Sequence, residues 1–93
     1  MIEFSDGRYL VQGPLTLATV QQMVRHSEPR FDGGDIRIDL SGVTEADSSA
    51  VGLLLAWTRA AAVRGGSTSF ENLPGNLTAL IKLYEVGELL PGA

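Results

Sequence analysis

The chain of 93 residues is 44% hydrophobic and 19% charged, which is typical of one globular domain and excludes a disordered segment. It has no cysteine, which excludes disulfides, thiolate metal sites and thiol catalysis. The net charge is −4 and the seven basic residues are scattered, which argues against binding of nucleic acid or direct binding to an anionic membrane.

The N-terminal residues predict a β-hairpin. Residues 2–4 and 9–12 flank an Asp-Gly pair at 6–7, and such a pair is a common hairpin turn. The Gly-Pro pair at 13–14 is expected to end the second strand.

A short amphipathic helix is predicted next. It starts at about Thr16, a residue type that caps helices, and stops near Pro29. His26, the only histidine, lies near the end of this helix. The neighbouring sequence supplies no partners for a catalytic or metal-binding role, so we interpret His26 as structural.

The stretch from 35 to 64 is the centre of the predicted fold. Apolar residues alternate over 36–40, which predicts a strand, and 41–46 are expected to turn the chain. Helical periodicity then begins at Ser48 or Ser49. The glycine pair at 65–66 ends that helix, because glycine readily adopts the left-handed conformation that follows a helix.

The C-terminal part predicts a strand at 67–70 and one more helix. Apolar residues recur at helical spacing from Leu77 to Tyr84, with a start at 74–76 and an end at Gly87. The element order is therefore β-β-α-β-α-β-α. We predict a single α/β domain over 1–93, with a mixed sheet of about four strands and three or more helices.

The central helix is apolar on two sides. The predicted core face contains Val51, Leu55, Thr58 and Ala62, flanked by Leu54 and Ala61. The opposite face is also apolar and contains Leu53, Ala56, Trp57, Ala60 and Val63. Either neighbouring helices cover this second face, or Leu53 and Trp57 form an exposed patch that a partner protein or a second copy of the chain covers. We favour the exposed patch, with Trp57 as its anchor.

Asp47, Ser48 and Ser49 are residue types that cap helix N-termini by accepting hydrogen bonds from free backbone N–H groups. Capping explains one of the three. A phosphoryl group on a serine there would be stabilised by the helix N-terminus, while its charge, next to Asp47 and Glu45, would act mainly by repulsion. Capping and regulation both remain open from the residues alone.

Enzymatic activity is a third alternative. Asp39 and Asp47 are expected near the end of one strand, where paired carboxylates could bind a metal or accept a phosphoryl group. However, no nucleophile-base pair, nucleotide-binding glycine loop or metal-ligand cluster is recognisable. We therefore predict a non-enzymatic domain with no cofactor and no metal.

A cytoplasmic location is expected. The first ten residues lack the basic and apolar regions of a signal peptide. No apolar run approaches the roughly 18–20 residues that span a bilayer.

The run IDLSGVTEADSSAVGLLLAW resembles the signature of STAS domains, the family named for sulfate transporters and anti-sigma-factor antagonists. The run FENLPGNLTALIKLYEVGELLP resembles the C-terminal part of the small STAS subunit of Mla-type phospholipid-transport ABC complexes. The resemblance implies a cytoplasmic partner-binding module that regulates an ABC transporter through its ATP-binding subunit. Contact with the membrane would then be only indirect, through the complex.

The two branches of this family imply roles for neighbouring serines. In the anti-sigma-factor antagonists, the residue that matches Ser49 is phosphorylated by a partner kinase. In the Mla subunit, a threonine that matches Ser48 lies where the domain contacts the ATPase. Many antagonists carry glycine where this chain has Ala50, and this departure weakens the phosphorylation hypothesis more than the transporter hypothesis.

Overall fold

The structure, a computed structural model, describes residues 2–5, 8–27 and 33–90. Its strands are β1 (Ile2–Ser5), β2 (Arg8–Leu15), β3 (Asp35–Ala46) and β4 (Ser67–Glu71). Its α-helices are α1 (Val20–Ser27), α2 (Ser48–Val63) and α3 (Gly75–Leu83), and a short 3-10 helix follows at Gly87–Leu89. The predicted turn at 6–7, the predicted helix end near Pro29 and the side chain of His26 lie outside the described residues.

The four strands form one mixed sheet in the order β1-β2-β3-β4. β1 pairs with β2 in the antiparallel direction, as expected for a hairpin, whereas β2, β3 and β4 are parallel to one another. Parallel neighbours need long crossover connections, and α1 and α2 provide them. The predicted α/β class, mixed sheet and element order are thus confirmed.

Two predicted strand ends were wrong. β3 does not turn at 41–46 but continues to Ala46, and β2 continues past Gly13 and Pro14 to Leu15. The two strands support each other in this extension, with irregularities in the pairing between Leu10 and Gln12 and between Gly13 and Leu15. Gly13 has φ 90°, a conformation that favours glycine, so the chain passes this irregularity without ending the strand.

Helices cover one face of the sheet, and the other face is polar. Residues of β2, β3 and β4 alternate between a buried row and a row that carries Arg8, Arg37 and Ser67. α2 packs on the sheet between α1 and α3, both of which contact it. The largest fully buried side chains are Trp57, Tyr9, Phe70, Leu15, Ile38, Leu40, Leu54, Leu77, Leu90 and Val11.

The starts and ends of the helices follow local rules. α1 begins at Val20 rather than near Thr16, because residues 16–19 form a turn in which the Thr16 carbonyl accepts from the N–H groups of Thr19 and Val20. α2 ends as predicted at the glycine pair: Gly65 has φ 80°, and the Gly66 N–H donates to the Ala61 carbonyl at 2.9 Å.

The expected end of the last helix at Gly87 was wrong. The chain leaves α3 at Glu85, which has φ 56°, and the Glu85 N–H donates to the Lys82 carbonyl at 3.1 Å. A glutamate therefore occupies the left-handed position that glycine usually takes. No helix within the described ranges is long and apolar enough to cross a bilayer.

Candidate functional site

Asp47 connects the end of β3 to the start of α2. It is the N-cap residue, and its carboxylate Oδ1 accepts from the Ser49 N–H at 2.8 Å. The second oxygen, Oδ2, accepts from the Leu17 N–H at 3.1 Å, and the Asp47 N–H donates to the Leu15 carbonyl at 3.3 Å. One aspartate thus fixes the start of α2 relative to the segment that leads into α1.

These contacts keep Asp47 ionised. The backbone N–H of Leu17 is the largest cause that lowers the pKa of its carboxyl group. Burial opposes this effect, being second in size to the Leu17 contact, and the Ser49 N–H and hydroxyl lower the pKa further. Asp47 is therefore engaged in holding the local backbone.

The two serines next to Asp47 differ in exposure. Ser48 is exposed, whereas Ser49 is half-buried. Ala50, directly after them, is fully buried. Of the two hydroxyls, that of Ser48 is therefore the more accessible to a macromolecular partner, and Ser49 lies closer to the core.

The expected patch of Leu53 and Trp57 is not on the surface. Leu53 is 3% exposed and Trp57 is 0% exposed, so neither side chain forms an exposed anchor for a partner. The alternative that neighbouring helices cover this side is correct, since α1 and α3 flank α2. The predicted core face was correct for Val51, Leu54 and Ala61, whereas Ala62 is exposed.

The surface of α2 that remains open carries small or half-buried residues over 52–56 and the exposed Arg59 and Val63 further on. Gly52 is exposed, and a methyl group added to it would meet no atom within 4 Å. Glycine inside a helix costs about 0.5–1 kcal/mol relative to alanine. Packing within the described residues does not require glycine at this position. The close approach of a partner's backbone would require it.

Two grooves run along this open face. The first lies between α1 and α2 and has a volume of about 420 Å³. The second lies between α2 and the segment after α3 and has a volume of about 470 Å³, with a lining of Ser48, Val51, Gly52, Leu55, Tyr84 and Val86. Gly52 lies on the ridge between them and lines both.

Tyr84, Val86 and Arg25 are groove residues that the sequence did not single out as functional. Tyr84 ends the apolar repeat that predicted the last helix, yet it is 49% exposed. Gly52 could have been singled out from the sequence, because a glycine inside a helix is unfavourable and therefore suggests a packing or functional reason.

Asp39 and Asp47 do not form the carboxylate pair that the enzyme alternative requires. Because β3 is longer than predicted, Asp39 lies in its middle, eight residues and therefore roughly 26 Å of extended chain before Asp47. Asp39 accepts from the Ser41 N–H at 2.9 Å, the largest cause of its lowered pKa, and from the Asn72 side-chain amide at 3.3 Å. Asp39 therefore links the middle of β3 to Asn72, which directly follows β4.

Glu71 joins the strands on that polar face. Its two oxygens accept from the guanidinium groups of Arg37 at 2.8 Å and Arg8 at 2.9 Å. These contacts, with Arg37 first, lower the pKa of Glu71. The charges of Arg8, Arg37 and Glu71 are thus paired within the domain, and the grooves on the α2 surface are the candidate site for partners.

Comparison with known proteins gives a family and a fold. A family model described as "Mlab, STAS domain" matches residues 3–91. The solved structure described as "Structure of the Anti-Sigma Factor Antagonist SpoIIAA in its Unphosphorylated Form" superposes with a TM-score of 0.76 at 18% identity, over 97% of this chain and 84% of that chain. "Crystal Structure Analysis of Mglu" gives 0.61 at 15% identity, over 81% of this chain and 19% of that chain. No curated protein sequence matches. At these identities the structural likeness shows the fold alone.

Proposed function

The chain belongs to the STAS domain family, and from that premise we propose that it is a non-enzymatic accessory subunit of an ABC lipid transporter. In this role it binds the ATP-binding subunit through the start of α2 and regulates or stabilises the assembly. Its contact with the membrane is indirect, through the complex.

One observation carries this proposal. The two sequence runs that carry the family resemblance are far apart in the chain, yet the fold brings them to one groove. Ser48, which matches the contact threonine of the Mla subunit, belongs to the first run. It lines that groove together with Tyr84 and Val86, which belong to the second run, FENLPGNLTALIKLYEVGELLP. The description of the matching family model, which names Mlab, supports the same assignment.

The test is reconstitution with the ATP-binding subunit of the host's lipid transporter. The wild-type chain should co-purify with that subunit, and Ser48→Arg should abolish co-purification by filling the groove with a charged side chain. Ala62→Arg is the matched control, since Ala62 is exposed in the last turn of the same helix and does not line this groove. Recovery of a kinase-like anti-sigma factor in place of the ATPase would contradict the proposal.

A second candidate function is that of an anti-sigma-factor antagonist switched at Ser49. The position of Ser49 in the first turn of α2 favours it, because a phosphoryl group there lies at the positive end of the helix dipole. The likeness to the SpoIIAA fold is compatible with it. Fully buried Ala50 counts against it, because many antagonists carry glycine at this position.

Intact-mass measurement of the chain from native cells distinguishes the two candidates. A phosphate localised to Ser49 and absent from Ser49→Ala would support the antagonist. An unmodified mass in growth and in stress would argue against it.

A further inference from the structure

The groove between α1 and α2 has an apolar floor and a polar rim. Val20 and Val24 form one wall and Leu53 and Ala56 the other, with Gly52 at the ridge. Val20 and Val24 lie one helical turn apart, so the apolar stripe runs along the helix rather than forming a single spot. The groove therefore fits a continuous row of side chains.

The rim carries a positive charge that no described residue pairs with. Arg25 lines the groove, and within the described residues it has no ion pair or hydrogen-bond partner. No described residue that lines the groove is acidic, although the whole chain has a net charge of −4. A partner that places a carboxylate beside Arg25 gains a charge-assisted contact that no residue within 2–5, 8–27 or 33–90 provides.

The walls also restrict the secondary structure that a partner segment can have when it binds in the groove. Both are helices, whose backbone N–H and C=O groups are bonded within the helix, so they offer no edge for an added strand. A partner must bind through side chains, which is how an amphipathic helix binds a groove. Gly52 and Ala56, one turn apart, keep the ridge low enough for a helix backbone to approach closely.

We propose that the α1–α2 groove binds an amphipathic helix of the partner protein, with apolar residues toward Val20, Val24 and Ala56 and an acidic residue beside Arg25. This inference rests on the proposed function, because it specifies the partner's chemistry at the same α2 surface. It assigns Arg25 as a specificity-determining residue for that partner.

The test uses two synthetic helical peptides of 16 residues, the length of α2. Both carry the same leucine and alanine stripe; one is flanked by glutamate and the other by lysine. Each is titrated into the isotope-labelled full chain, and backbone and methyl NMR shifts are followed. The glutamate peptide should shift the signals of Val20, Val24 and Ala56, and it should bind about three- to tenfold more tightly than the lysine peptide.

Variants of the rim make the test specific. Arg25→Glu should remove or invert the preference between the peptides, and Arg25→Gln, which avoids a negative charge in the last turns of α1, should reduce it. Arg59→Glu is the matched control, since Arg59 is an exposed arginine of α2 that does not line the groove, and it should keep the preference.

Equal binding of the two peptides, shifts that map outside the groove, or absence of binding by either peptide would overturn the inference. Its failure is separable from that of the proposed function. If the ATP-binding subunit is not recovered but the glutamate peptide binds beside Arg25, the transporter assignment falls and the groove specificity stands.

Discussion

Replacing Trp57 by alanine should remove a substantial part of the domain's stability. Trp57 is fully buried and is the largest of the fully buried side chains in the described residues. Truncation of such a side chain to alanine costs about 3–5 kcal/mol, because it loses the transferred surface and leaves a cavity. A domain of 93 residues has a free energy of unfolding of about 5–14 kcal/mol, so the loss is between about a fifth and all of it.

Urea and thermal denaturation followed by far-UV circular dichroism measure this loss. The midpoint temperature should fall by about 12–40 °C. Val63→Ala in the last turn of the same helix is the control, since Val63 is 85% exposed and its truncation should change stability by less than about 0.5 kcal/mol. A cost below about 1 kcal/mol for Trp57→Ala would refute the reasoning and return Trp57 to the surface as a partner anchor.

Three further predictions concern the surface. Gly52→Ala should raise the free energy of unfolding by about 0.5–1 kcal/mol in urea titrations, yet weaken capture of the ATP-binding subunit, because the added methyl group keeps the partner backbone away. Glu85→Gly should stabilise the domain by up to about 1 kcal/mol in the same assay, since glycine adopts φ 56° without strain; a loss of stability would contradict this. The pKa of Glu71 is lowered below 4.5 in the folded state by Arg37 and Arg8, so its contribution is complete above pH 4.5 and is lost as the pH falls through the folded value. Glu71→Gln should therefore make stability less sensitive to acid in urea midpoints measured across this range, and an unchanged pH profile would be the contrary result.

The parts of the fold that depend on local pattern could be predicted from the sequence. The alternation of 36–40 reflects one buried face of β3, and the glycine pair at 65–66 supplies the left-handed end of α2. The continuation of β3 to Ala46 could not be predicted from the sequence, because the polar residues and the glycine of 41–46 resemble a turn. Only the distant pairing with β2 holds that segment extended.

The same contrast applies to the site. The capping role of Asp47 is a matter of neighbouring residues and was visible in the sequence. The open face of α2 was not, because the helix is apolar nearly all round and the covered side is decided by where α1 and α3 pack. The groove residues Arg25 and Tyr84 come from separate helical segments, so only the tertiary structure brings them to the α2 surface.

Hydrogen–deuterium exchange of the chain alone and mixed with the ATP-binding subunit tests the central claim most directly. We expect slower exchange in the complex at the start of α2, from Ser48 to Ala56, and at Tyr84 to Val86. The polar sheet face around Arg37 should be unchanged. Protection confined to that sheet face, or no complex at all, would contradict the assignment of the α2 surface as the site that binds the transporter ATPase.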